Sequence, residues 1–91
     1  MPTPAPDDWR RQGQERDLAG RCFEWRVYRA PSADWDHDHC EFCWAKFMVG
    51  ENAPSDALPE GYRTVDGANW VCRQCFEDFR DEFGFTVGSS E

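Results

Sequence analysis

The sequence has almost no lysine, few histidines and no long apolar run, and each shortage narrows what the chain can do. Lys46 is the single lysine beside nine arginines, and 18 acidic residues bring the formal net charge to −8. Nucleic-acid binders take most of their affinity from neutralising phosphates with Lys and Arg, so nucleic acid is not the expected partner. An acidic surface fits a basic protein partner, or serves solubility alone. No apolar stretch of about 18 residues occurs, so no membrane-spanning helix is expected. The start, Met1-Pro2-Thr3-Pro4-Ala5-Pro6-Asp7-Asp8, lacks the apolar segment of a signal peptide, and a cytosolic location is expected. In a reducing compartment thiols persist, and five cysteines, an odd number, do not form a disulfide framework.

What is present in concentrated form is cysteine in pairs. Cys40-Glu41-Phe42-Cys43 and Cys72-Arg73-Gln74-Cys75 are separated by 28 residues, and Cys22 is the only other cysteine. A two-residue spacer lets one tight turn aim two thiolates at a common point, and two such turns complete a tetrahedral zinc shell. Cys40, Cys43, Cys72 and Cys75 are therefore the expected ligands of one structural Zn²⁺. A redox motif is the competing reading of a single pair. It normally sits at a strand-to-helix junction in a βαβ pattern that is absent here, and it does not account for a second pair.

A metal also answers a problem of size. With 91 residues and a Pro- and charge-rich start, about 70 residues are left to fold. In so small a core, conformational entropy of about 1.5 kcal/mol per residue nearly cancels apolar burial. Zinc contributes about 10–16 kcal/mol of binding free energy that is largely folding free energy. The expected organisation is a disordered leader over 1–19, a zinc-binding domain over 20–87, and a polar tail over 88–91.

Along the chain, residues up to about 17 have almost nothing to bury apart from Trp9, a candidate docking element or a residue that folds back on the domain. Cys22-Phe23-Glu24-Trp25-Arg26-Val27-Tyr28-Arg29 alternates as a strand, with Phe23, Trp25 and Val27 on the buried face. Cys22 falls on the Glu24 side and is expected as a small residue, not a ligand. Ala30-Pro31-Ser32 ends the pattern. A short strand is expected after Cys43, with Trp44 opposite Ala45, Phe47 and Val49, and a long loop spans 50–61. Tyr62 to Val71 reads as a hairpin turning on Asp66-Gly67 in a tight primed turn. Residues 73–83 fit a helix, with Phe76, Phe79 and Phe83 as a core stripe and Gly84 as its stop. Phe85, Thr86 and Val87 add a last extended piece.

The stretch Asp34-Trp35-Asp36-His37-Asp38-His39 is the second chemical concentration. Asp36, His37, Asp38 and His39 can hold a second divalent cation or supply a general base to a metal-bound water, as in a metal-dependent hydrolase or nuclease. They can equally turn the chain, with one histidine donating a hydrogen bond to a zinc-bound thiolate or a backbone carbonyl. Four cysteines already complete the zinc shell, so neither His37 nor His39 is needed as a ligand.

The order metal turn, loop, hairpin, and helix with the second ligand pair in its first turn resembles the treble-clef zinc finger. The resemblance covers Cys40 to about Phe83 and rests on the four cysteines, the Asp66-Gly67 turn and the run from Trp70 to Phe79. It implies a small α+β, zinc-stabilised fold, here with an additional N-terminal strand. A zinc ribbon shares the ligand spacing but surrounds the second pair with a strand, against the phenylalanine period. The chain lacks the basic helix and tail of a GATA-type reader and the second ligand set of a LIM domain. Asp36-His37 with Asn69 is similar to part of the pattern of histidine-metal nucleases, but their catalytic helix histidine is missing, since both histidines precede Cys40. The leading expectation is a small acidic zinc protein acting as a protein-binding adaptor, regulator or inhibitor-like module. Size and charge suit a bacterial regulatory, immunity or antagonist protein, by analogy of composition.

Overall fold

A computed structural model describes residues 4–30, 35, 37–51 and 53–88. The Pro31-Ser32 turn signal, Asp34, Asp36 and the tail residues 89–91 lie outside the described residues. The chain forms a small α+β fold of eight elements among them: α1 (Glu15–Leu18), β1 (Cys22–Val27), β2 (Asp38–His39), β3 (Lys46–Phe47), β4 (Glu60–Thr64), β5 (Trp70–Val71), α2 (Arg73–Phe83) and β6 (Thr86–Val87). No helix among the described residues is long and apolar enough to cross a membrane.

The main sheet has the order β5-β4-β1-β6. β1 pairs antiparallel with β4 from Phe23 opposite Thr64 to Val27 opposite Glu60, and its other edge takes β6 in parallel at Cys22 and Phe23. β2 and β3 form a separate two-stranded ribbon, with His39 opposite Lys46. The two parts meet where Cys40 bridges to Trp70.

α2 spans the residues its periodicity predicts. Its buried residues are Cys75, Phe76, Phe79 and Phe83, and Gly84 closes it at φ 69°, a left-handed conformation that costs glycine no Cβ clash. Phe76 anchors the helix to the sheet, stacked on Tyr62 with centroids 3.8 Å apart and edge-on to Phe23 at 5.4 Å.

Two expectations are corrected. The face of β1 is only partly buried: Phe23 is fully covered, whereas Trp25 is 38% and Val27 67% exposed. Helical cover through Phe76 ends at Tyr62, so Trp25 packs edge-on against that tyrosine and donates its Nε1–H to Glu60, at the margin of the core. Tyr28, expected outside, is buried against Phe47 and Trp70, just past the end of β1, where its amide bonds the Pro59 carbonyl.

The hairpin forms at the expected place with a different turn. The Gly67 amide donates to the Thr64 carbonyl at 2.7 Å, so Val65 and Asp66 are the central residues and only Gly67, at φ 82°, is left-handed. Thr64 decides this: its buried hydroxyl donates to Asp66 at 2.7 Å and accepts from the Asn69 amide at 3.1 Å. That network favours a longer turn over the two-residue primed one.

Among the described side chains of the first 19 residues, two are buried. Leu18 is fully buried, and Gln14 is buried with its amide donating to the Arg10 carbonyl at 2.6 Å and the Glu41 carbonyl at 3.0 Å. The apolar content there is low, and the contacts are polar and long-range, which hydrophobic patterning does not register.

Candidate metal centre

The first cysteine pair sits on a turn that begins at the end of β2 and is closed by backbone bonds. The Cys40 amide donates to the Ala45 carbonyl at 2.8 Å and the Trp44 amide to the Cys40 carbonyl at 3.1 Å. Trp44 carries φ 66°, the one positive φ outside glycine among the described residues. The second pair is built into the start of α2. Cys72 is the N-cap residue, with extended φ −71° and ψ 160°, and its sulfur accepts from the Cys75 amide. A helix N-terminus favours negative charge, so this placement suits thiolates.

These two turns bring Cys40, Cys43, Cys72 and Cys75 together, with all four sulfurs within 4.8 Å of one another. The sulfurs of Cys43 and Cys72 are 3.6 Å apart. A tetrahedron with zinc–sulfur bonds of about 2.3 Å has sulfur–sulfur edges of about 3.8 Å, so the donor set fits a single zinc ion in both chemistry and size. Backbone amides face the sulfurs: Phe42 and Cys72 donate to the Cys40 sulfur at 3.4 and 3.3 Å, and Cys75 to that of Cys72 at 3.5 Å. Cys40, Cys72 and Cys75 are buried.

Hydrogen bonding with Cys40 pulls the Cys72 thiol down to about 4, while hydrogen bonds to Cys40 and Cys72, together with burial, push Cys75 well up. Four adjacent thiolates need a cation among them, and a divalent ion answers that need.

Sequence reasoning missed Arg10. Its guanidinium lies 3.6 Å from the Cys75 sulfur through Nη1, donates to Asp78 at 2.8 Å and to Asp8 at 2.9 Å, and sits 4.8 Å over the Phe79 ring. Hydrogen bonding from Arg10 holds the Asp8 carboxyl down at about 2. No periodicity marks such a residue. The available signal was chemical: four cysteine thiolates gathered at one point would attract a cation.

The remaining described candidates are not part of the four-sulfur group. Asp38 accepts from the Tyr28 hydroxyl at 2.8 Å and from Trp35 Nε1 at 3.0 Å. The rings of His37 and His39 meet edge-to-face at 4.9 Å, and His39 lies 5.6 Å from Trp44. Asn69 donates to Glu41 at 3.1 Å. Among the described residues the four cysteines are the one group of three or more His, Cys, Asp or Glu side chains gathered to hold a metal. Cys22, on β1 and near Gly88, is outside that group. No protein-family model matches the chain, and neither a curated protein nor a solved structure matches it.

Proposed function

We propose that the chain is a single zinc finger of the treble-clef kind, that its zinc is structural, and that it acts by binding another protein as an adaptor, regulator or inhibitor-like module. Four thiolates fill a tetrahedral shell and leave no position for a substrate, which supports a folding role for the metal over a catalytic one. A reducing compartment suits this reading, because thiolates persist there.

Trp44 carries the binding half of the proposal. It is 61% exposed and stands on the first metal turn at φ 66°, a conformation that costs an L-residue about 1–2 kcal/mol and that glycine adopts freely. A strained, exposed tryptophan fixed to a rigid turn is what an interface anchor requires, and strain of this kind concentrates at ligand clamps. The formal charge of −8 favours a basic partner surface. Arg10, Arg11, Arg21, Arg26, Arg63 and Arg73 are each paired with a carboxylate, which argues against a phosphate-binding face.

The test is affinity capture from the source organism with zinc-loaded wild type and Trp44→Ala as baits. The expected result is a partner retained by wild type and lost from Trp44→Ala at unchanged zinc content. Equal retention by both baits, or no partner above background, overturns the proposal.

A further inference from the structure

We propose that Arg10 belongs to the metal centre, offsetting the charge of the thiolates, and that it anchors residues 4–18 to the domain there. This rests on the reading that the four cysteines bind zinc.

The guanidinium is held from three directions. Nη1 reaches the Cys75 sulfur and Asp78, Nε and Nη2 both bond Asp8, and the plane lies over Phe79. Its side chain is only 13% exposed. Asp8 and Asp78 alone would explain an ordinary surface ion pair; the sulfur contact and the burial add a role at the metal. A zinc tetrathiolate is formally −2, and a fixed cation at hydrogen-bonding distance from one sulfur lowers the cost of gathering that charge in a small core.

Docking of the segment depends on both metal turns. Arg10 uses Cys75 and Asp78, at the start of α2, while Gln14 bonds the carbonyl of Glu41, inside the first turn. These acceptors come from parts of the chain more than 30 residues apart, held together by the Glu41 amide on the Trp70 carbonyl and by the Phe42–Phe79 stack, and a metal among the four sulfurs would add to that hold. Arg11 adds a two-pronged bond to Glu82, farther along α2 and away from the sulfurs. It serves as an internal control.

The experiment combines zinc affinity, measured by competition with a chromophoric chelator, with amide hydrogen exchange over residues 4–18. Arg10→Ala is expected to weaken zinc binding about 10–100-fold, the usual effect of losing a group that supports metal ligands. Arg11→Ala, which removes a partly exposed pair away from the sulfurs, should change it less than about fivefold. In zinc-loaded Arg10→Ala the segment should exchange rapidly while α2 stays protected. Zinc affinity within about threefold of wild type, or undiminished protection of 4–18, overturns the inference.

If Arg10→Ala does not fold in excess zinc, Arg10→Lys keeps the charge without the planar fork. The inference then requires a several-fold loss of affinity and a shifted thiolate-to-metal band in the cobalt-loaded protein; an unchanged band and affinity overturn it. Wild type that binds no zinc at all overturns the proposed function as well, so the two failures are distinguishable.

Discussion

Phe42 lies stacked on Phe79, with ring centroids 4.5 Å apart and planes 10° from parallel. The first is the spacer residue before Cys43 and the second is the middle of the helical stripe, so one ring contact joins the first cysteine turn to the core. Phe42 also meets Phe83 and Phe85 edge-on. The spacer of a cysteine pair here serves two purposes, aiming the sulfurs and closing the aromatic core.

Phe42→Ala should therefore destabilise the zinc-loaded protein by about 3–5 kcal/mol, the usual cost of removing a fully buried phenylalanine. Urea unfolding in excess zinc measures it. A loss below about 1 kcal/mol would mean that the metal alone holds the first turn to the helix.

Trp44→Gly should leave the protein about 0.5–1 kcal/mol more stable. Glycine relieves the cost of φ 66°, partly offset by the greater freedom of the unfolded chain. The same substitution should abolish partner binding. Thermal unfolding checks the first half, and a loss of more than about 1 kcal/mol would show that the tryptophan is held by packing on His39.

Two glycines should respond to alanine for different reasons. At Gly67 the new Cβ meets nothing closer than 3.9 Å, so the cost, about 1–2 kcal/mol, comes from φ 82° alone. At Gly61 it would collide with the Phe47 ring and lie 3.2 Å from the Val71 carbonyl, a crowding cost of about 1–3 kcal/mol. A double-mutant cycle separates them: Phe47→Leu should couple to Gly61→Ala and not to Gly67→Ala. Equal coupling at both sites would contradict this account.

The parts legible in the sequence are those carried by short spacing. Two cysteine pairs with two-residue spacers, and Phe76, Phe79 and Phe83 at helical period ending in Gly84, locate the tetrad and α2 directly. The face of β1 was legible only in part, because alternation shows which side chains share a face and not how far another element covers it; Phe23 is under the helix and Val27 beyond it. The turn at Asp66-Gly67 depended on the buried Thr64 hydroxyl, a contact that dipeptide preference does not weigh. Arg10 was invisible for a related reason. Its partners Cys75 and Asp78 are 65 and 68 positions away, and only the assembled fold makes an arginine in a polar stretch a neighbour of sulfur.

The most direct test of the metal centre is a count of metal ions per chain by native mass spectrometry, on wild type, Cys22→Ser and Cys75→Ser. One zinc per chain is expected in wild type and in Cys22→Ser, with zinc lost from Cys75→Ser. A metal-free wild type with its four cysteines oxidised to two disulfides would contradict the account, as would a second tightly held ion that survives Cys75→Ser.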